Sequence, residues 1–250
     1  MQPSADLAPF ISIAWILQWD LGEDAHVQRV LPDPCVQIVV DTGGAHIMGV
    51  VTGSFSVTLT GKRLVLGMKF RPGGFYPFLR QPVASLTDRT VRVSHCFPNA
   101  DERQLADCAA AGDGHGIVVM LEALLRRAAP VMDDELDRVY RVADRIATDS
   151  TLLTVEHTAS VCGLSGRSLQ RLFRTYVGVS PKWMIRRCRI QEAAARLEAG
   201  DVHTWSDLAL DLGYADQSHF INDFRRLVGR SPASYAHSLE PLAAGTPRGR

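Results

Sequence analysis

The feature that most constrains this 250-residue chain is an internal repeat near its C-terminal end. One set of positions recurs 51 residues later, so that Leu169, Phe173, Gly178, Ser180 and Pro181 are matched by Phe220, Phe224, Gly229, Ser231 and Pro232. A second set recurs after 50 residues, so that Val155, Ala159 and Gly163 are matched by Trp205, Ala209 and Gly213. The one-residue difference falls in a turn, where an insertion is cheapest. Such a repeat indicates a duplicated supersecondary unit.

Each copy is predicted to be a helix-turn-helix unit. In the first copy, Thr154 and Ser165 are candidate N-caps of two successive helices, and Gly163 suits the left-handed turn between them. In the second copy, Thr204 is the candidate cap of a helix over 205–212, and a second helix follows over 216–228.

One helix, predicted over residues 181–199 and ended by Gly200, joins the two units. At about 1.5 Å per residue it spans roughly 27 Å. With the flanking turns, this length can place two recognition helices about one DNA turn apart, on the order of 34 Å. One chain could then enter two successive major grooves.

The second helix of the first unit is predicted to expose a basic face made of Arg167, Gln170, Arg171 and Arg174. Arg pairs with guanine and Gln with adenine in a major groove. The alternative is an ordinary solvated face, which normally carries both signs of charge. Residues 166–191 contain seven basic side chains and no Asp or Glu, which favours nucleic acid.

The corresponding face of the second unit is less basic. It is predicted to present Ser218, Ile221, Asn222 and Arg225, with Gln217 and His219 beside them. Five aspartates make this unit acidic, namely Asp201, Asp207, Asp211, Asp216 and Asp223. We therefore expect the first unit to hold DNA more strongly.

Over residues 135–237 the sequence resembles the DNA-binding domain of the AraC/XylS family of bacterial transcription regulators. The resemblance lies in residues 164–165, 169–173, 178–181, 209–214, 217–220, 224–226 and 229–232. It implies that Arg167, Gln170 and Arg171 read bases from the first unit, and that Gln217, Ser218, His219 and Asn222 do so from the second. The full set of expected DNA contacts is Ser165, Arg167, Ser168, Gln170, Arg171, Arg174, Lys182, Arg186, Arg187, Gln217, Ser218, His219, Asn222 and Arg225. Two departures are Thr158, where the family usually has a buried Leu, and Asn222-Asp223, where a basic residue is common.

Residues 1–98 are predicted to form a small antiparallel β domain, with strands over 36–41, 46–52, 55–60 and 64–70 separated by glycine-containing turns. Residues 31–36 and 70–74 resemble the β-rich sensor domain of some such regulators, which implies a cupin-like barrel that senses an effector. The candidate effector pocket is Trp15, Trp19, Phe55, Phe70, Phe75 and Tyr76. The alternative is that these aromatics form the core that a small domain needs.

The predicted fold class is therefore α+β, with a helical connector over 99–131 that could carry a dimer contact and a disordered tail over 238–250. No cofactor is expected, and His26, His46 and His95 are too isolated to suggest a metal site. The apolar stretch 10–19 is too short to span a bilayer, and the N-terminus lacks the features of a signal peptide, so we expect a cytoplasmic protein without a membrane partner.

Three functions are considered. The first is a transcription regulator that binds double-stranded DNA, with RNA polymerase, a second copy of the chain and a small-molecule effector as candidate partners. The second is an enzyme, such as a DNA-repair alkyltransferase, targeted by the helical domain. Only Cys96 has a neighbouring base, His95, so an activated nucleophile is not expected. The third is an architectural DNA-bending protein whose front domain only dimerises.

Overall fold

The structure is a computed structural model that describes residues 1–239. The tail predicted over 238–250 lies outside the described residues from position 240 onward. Within residues 1–239, no helix combines the length and apolar character needed to cross a membrane.

The N-terminal part is an antiparallel sheet of five strands: β1 (Ile11–Val30), β2 (Gln37–Asp41), β3 (Gly44–Met48), β4 (Phe55–Phe70) and β5 (Thr90–Arg92). Their order across the sheet is β1-β4-β2-β3-β5, and each neighbouring pair is antiparallel. The predicted antiparallel β domain is therefore confirmed. Its sheet is open, because β1 and β5 lie at opposite edges and close no barrel.

Two strand predictions were wrong. Residues 55–60 and 64–70 belong to the single strand β4, and Gly61, where a turn was expected, lies opposite a bulge in β1. Gly61 adopts a left-handed φ of +62° there and stands alone opposite residues 21–24 of β1. The 20-residue strand β1, which includes the apolar stretch 10–19 from Ile11 onward, was not predicted.

The core of the β domain lies on one face of the sheet. Leu66, Met68 and Phe70 of β4 are fully buried there, together with Ile38 and Ile47 of the neighbouring strands. Helix α2 packs against β2, β3 and β4. An aromatic group of Phe10, Phe70, Phe75, Phe78 and Phe97 fills the end of this core through edge-to-face and stacked contacts.

The helices follow the sheet in chain order. They are α1 (Tyr76–Leu79), α2 (Glu102–Ala111), α3 (Gly114–Arg127), α4 (Asp134–Thr148), α5 (Val155–Val161), α6 (Gly166–Tyr176), α7 (Pro181–Glu198), α8 (Trp205–Asp211), α9 (Gln217–Val228) and α10 (Pro232–His237). Short 3-10 segments at Val83–Leu86 and Val93–His95 flank β5.

The predicted pair of helix-turn-helix units is present as α5–α6 and α8–α9, joined by α7. Thr154 and Thr204 cap equivalent helices, each accepting a hydrogen bond from a backbone N–H at 3.1 Å. Gly163 and Gly213 occupy the equivalent turns with φ of +66° and +71°. The two copies are thus duplicated in backbone detail as well as in sequence.

The two units differ in what buries them. The apolar side chains of α5 and α6, including Leu169 and Phe173, belong to one continuous core shared with the β domain. Phe220, Phe224 and Leu208 of the second unit belong to a separate cluster, closed by the C-terminal half of α7.

Candidate nucleic-acid interface

Helix α6 presents the predicted basic face. Leu169 and Phe173 are fully buried, whereas the side chains on the other side of the helix, Arg167, Gln170, Arg171 and Arg174, are exposed. Throughout residues 1–239, none of these three arginines forms an ion pair. Their charges are therefore available to an external anion.

Ser165 and Ser168 have a structural role at the start of this helix. The Ser165 hydroxyl accepts a hydrogen bond from the Ser168 N–H at 3.1 Å and lies 2.9 Å from the Ser168 hydroxyl. This arrangement caps α6 and keeps its first turn exposed. Any DNA contact made by Ser165 would share its hydroxyl with the cap.

Arg171 lies at the edge of a cleft of about 310 Å³ between α6 and α4, which Glu135, Arg138 and Tyr176 also line. Glu135 is already paired with Arg138, at 2.6 Å between Oε1 and Nη1. Arg171 and Glu135 thus share the lining of this cleft, and no ion pair joins them within residues 1–239.

Helix α7 divides its basic residues between two surfaces. Lys182 is exposed. Arg186 is 3.4 Å from Asp223 of α9, measured between Nε and Oδ2. Arg187 points the other way: its side chain is only 13% exposed, pairs with Asp33, and donates to the Pro32 carbonyl at 2.9 Å. The prediction that Arg187 contacts DNA is not supported by this placement, because its charge is used against the β domain.

The sequence reasoning assigned no role to Arg189, which lies between the two units. Its guanidinium is centred 5.5 Å from the Tyr214 ring and donates to the Leu153 carbonyl. Burial lowers the pKa of Arg189. Burial likewise raises the pKa of Tyr214, so the hydroxyl stays protonated. Arg189 belongs to the basic run over residues 166–191, but the run alone could not predict its contacts with Tyr214 and Leu153.

Helix α9 presents the second predicted face. Ser218, His219, Asn222 and Arg225 are exposed, and Gln217 is half-buried and accepts a hydrogen bond from the Ser206 hydroxyl at 3.1 Å. Asp216 caps the helix by accepting from the His219 N–H at 2.9 Å, and that hydrogen bond is the main reason for its lowered pKa. Asp223, whose side chain is 18% exposed, is paired with Arg186 and does not project freely from this face.

A cleft of about 630 Å³ brings the two units together. Gln170 of α6 lines one side, His219 and Asn222 of α9 line the other, and Lys182 and Arg186 lie between them. The structure thus places candidate base-reading residues of both units along one surface with basic side chains of the linking helix.

The six aromatics proposed as an effector pocket do not line one cavity. Trp15 lies directly opposite Gly67, where a Cβ would come within 2.1 Å of the indole ring, so Trp15 covers the outer face of the sheet. Phe70 is buried on the inner face, because side chains alternate along β4, and Phe75 is buried against the Phe70 ring. The Trp19 indole N–H donates to the Thr60 carbonyl, and Phe55 begins β4. The ring of Tyr76 contacts that of Tyr176 at a tilt of 38°, with centroids 4.1 Å apart. The structure thus disperses these six side chains over several surfaces, and their role in effector binding stays a prediction.

The thiol considered for an enzyme is not activated. Burial raises the pKa of Cys96 to about 11, so the thiol stays protonated at neutral pH, whereas a nucleophilic cysteine needs a lowered pKa. Among the described residues, no group of three or more His, Cys, Asp or Glu side chains could hold a metal ion.

Thr158, at a position where the resemblance to the AraC/XylS family implies a buried leucine, is fully buried in the first unit. Its hydroxyl donates to the Thr154 carbonyl at 2.9 Å, so the buried polar group is satisfied within its own helix. A threonine at this buried position therefore leaves no unpaired hydroxyl.

Comparison with known proteins agrees with this geometry. Residues 158–238 match the model of a helix-turn-helix domain, and residues 1–92 match a domain of unknown function, DUF6597. The regulatory protein SoxS of Escherichia coli K12 is 37% identical over 87 residues, which cover 35% of this chain and 80% of SoxS. The chain belongs to the AraC/XylS family of transcription regulators. In this AraC/XylS regulator, the matched residues 158–238 begin within α5 and contain all of α6, α7, α8 and α9.

Two further similarities were found. The protein named "Putative HTH-type transcriptional regulator YkgA" of Escherichia coli K12 is 36% identical over 87 residues, which cover 34% of this chain and 35% of YkgA. The crystal structure of ToxT from Vibrio cholerae is 12% identical with a TM-score of 0.43, and the match covers 92% of this chain and 99% of ToxT.

Proposed function

We propose that this AraC/XylS regulator reads two successive major grooves of DNA, one with α6 and one with α9. The observation that carries the proposal is the cleft lined by Gln170, His219 and Asn222 from both units, with Lys182 and Arg186 between them. Two helices with equivalent caps and exposed polar faces, at either end of one 18-residue helix, fit two sites on one face of DNA.

The first unit supplies most of the affinity. Arg167 and Arg171 can each pair with guanine, and Gln170 can pair with adenine. Arg174 and Lys182 are exposed cations suited to phosphates, where each releases counterions. Because these arginines have no ion pair among the described residues, no existing contact has to be broken for them to bind DNA.

We propose that the second unit contributes more to the choice of DNA sequence than to the affinity for DNA. Ser218, His219 and Asn222 are short or neutral side chains that can bond base edges, and Gln217 would first have to release Ser206. Arg225 is an exposed cation at the end of this face. Asp223 does not repel DNA strongly, because Arg186 neutralises it.

Residues 1–98 are proposed to modulate DNA reading, and residues 135–237 to perform it. The connecting helices α2 and α3 contribute to the same core as the sheet, which supports modulation through packing. No effector site is assigned, because the six candidate aromatics are dispersed. A second copy of the chain and RNA polymerase remain proposed partners, and the site of action would be the cytoplasm, where bacterial DNA is transcribed.

Selection of bound DNA from a random pool tests the proposal. The expected result is two enriched elements whose centres lie about 10 base pairs apart, the first more strongly enriched than the second. A single enriched element, or no enrichment, would contradict two-groove reading. On the selected site, Lys182→Ala should reduce the slope of log affinity against log salt by about 0.9 without changing sequence preference. Arg141→Ala on α4 is the matched control.

A further inference from the structure

The β domain contacts both helix-turn-helix units at the same position of the repeat. Gly178 follows α6 and Gly229 caps α9, and these two glycines are 51 residues apart. The Thr87 hydroxyl donates to the Gly178 carbonyl at 2.6 Å. A Cβ on Gly229 would lie 3.1 Å from the Cβ of Ser54. One domain therefore touches the equivalent turn of each unit.

The same part of the β domain also holds the linking helix. The Trp183 indole N–H donates to the Thr52 carbonyl at 2.9 Å, two residues before Ser54. Thr52, Gly53, Ser54, Thr87 and Asp88 are hereafter called the bridge loops. They contact the first unit, α7 and the second unit in turn.

Asp88 joins the two bridge loops into one body. Its carboxylate accepts hydrogen bonds from the backbone N–H and the hydroxyl of Thr52, each at 2.7 Å, and its own N–H donates to the Val50 carbonyl at 2.9 Å. Asp88 does so with a left-handed φ of +56°, a conformation that is unfavourable for most side chains and tolerated by Asp. These bonds connect the loop that carries Thr87 to the loop that carries Ser54.

We propose that the bridge loops hold the two helix-turn-helix units at a fixed separation, with Asp88 as a positioning residue for DNA reading. None of the five residues lines the cleft between the units, so they act on DNA only through Gly178, Gly229 and Trp183. The inference rests on the proposed two-groove function and adds a requirement to it. The spacing of the two recognition helices depends on the β domain as well as on α7.

The test measures how affinity depends on the distance between the two DNA elements. The full chain is titrated onto the selected site and onto the same site with one base pair inserted, which moves one element by about 3.4 Å and rotates it by about 35°. Wild-type protein should lose about tenfold or more in affinity on insertion, a change equivalent to about 1.4 kcal/mol.

Two pairs of variants separate positioning from folding. Asp88→Gly removes both carboxylate bonds but keeps the left-handed backbone, and it should lose less than about threefold on insertion. Asp88→Asn can still bond both groups of Thr52 and should behave as wild type. Thr87→Val removes only the hydroxyl that holds Gly178, and Thr87→Ser restores it. This second pair decides the question if Asp88→Gly does not fold.

The outcomes distinguish the two proposals. Wild-type affinity that is insensitive to the insertion would overturn both two-groove reading and the positioning role. Wild-type sensitivity that persists in Asp88→Gly and Thr87→Val would overturn the positioning role alone. Reduced sensitivity in both variants, with recovery in Asp88→Asn and Thr87→Ser, would support it.

Discussion

Arg186 on the linking helix pairs with Asp223 on the second recognition helix, with Nε and Oδ2 3.4 Å apart. The two residues belong to different parts of the repeat, and both line the cleft between the units. The pair neutralises an acidic residue on the predicted DNA-reading face, and it also keeps Arg186 from binding phosphate freely.

Asp223→Asn should strengthen DNA binding. It removes a negative charge from the cleft and frees Arg186, so affinity should rise severalfold and the salt slope should increase by about 0.9. Asp211→Asn is the matched control, since Asp211 pairs with Arg196 outside that cleft. Fluorescence anisotropy over a salt series measures both quantities. Equal effects from the two variants would show that only net charge matters.

Arg171→Ala should weaken binding to the selected site by roughly 1–3 kcal/mol and relax base preference at one position. The reason is the loss of a bidentate contact to a base. Competition titrations against sites with each substituted base measure the effect, and Arg141→Ala, on the exposed side of α4, is the control. A uniform loss on every sequence would reassign Arg171 to a phosphate.

Arg187→Ala should destabilise the fold rather than weaken a DNA contact. It leaves the Pro32 carbonyl without its donor and Asp33 with Lys69 as its remaining ion-pair partner. The expected loss is about 1.5–3 kcal/mol of unfolding free energy, as for a hydrogen bond to a charged group. Urea unfolding checks it, with Arg186→Ala as the more exposed control. An unchanged midpoint with weakened DNA binding would favour the original assignment of Arg187.

Asp6 provides a prediction for acid pH. The hydrogen bond from Arg126 is the largest cause that lowers the pKa of Asp6 from 3.8 to about 2. A lowered pKa in the folded state means that the pair stabilises the fold above pH 3.8 and is lost as the pH falls through about 2. The stability difference between wild type and Asp6→Asn should therefore be constant from pH 7 to 5 and shrink below 4. Urea unfolding at each pH measures it. Asp24→Asn is the control, and a difference that is the same at pH 7 and 2 would contradict the assignment.

Gly67→Ala should destabilise the β domain. The added Cβ would lie 2.1 Å from the ring of Trp15, which cannot move away without losing its hydrogen bond to Gln37. Such overpacking typically costs about 1–3 kcal/mol. Thermal unfolding measures the effect. Gly166→Ala, where no atom outside the glycine's own chain neighbours and helix backbone lies within 4 Å of the new Cβ, is the control and should leave the melting temperature unchanged. Similar melting temperatures for both variants would refute the close contact.

The helical repeat could be predicted from the sequence because its signals are local. Caps such as Thr154 and Ser165 act on N–H groups three residues away, and Gly163 sets its own φ. The helix bounds followed from these residues. The exposed face of α6 could be predicted because apolar residues recur at the spacing of the helical turn, which assigns the remaining positions to the opposite face.

The remainder depends on partners that are distant in the sequence. Arg187 belongs to the same basic run as Arg186, and only Asp33, more than 150 residues away, shows that it faces the β domain. The long strand β1 was missed because its pairing with β4 is interrupted by a bulge at residues 21–24, opposite a Gly61-Lys62 sequence that is typical of a turn. The dispersal of the six aromatic side chains could not be predicted, because the faces of a sheet are assigned by register, which requires the partner strand.

The unequal burial of the two units has a consequence for how the molecule opens. The first unit shares its core with the sheet, whereas the second closes around its own cluster of Phe220, Phe224 and Leu208. Cooperative opening follows contiguous cores, so the duplicated halves should not exchange their amide hydrogens alike. We expect the second unit to open at a lower free energy than the first, because releasing the first exposes the core of the β domain. The duplicated sequence has thus produced one element whose stability is tied to the core of the β domain and another whose core is largely its own.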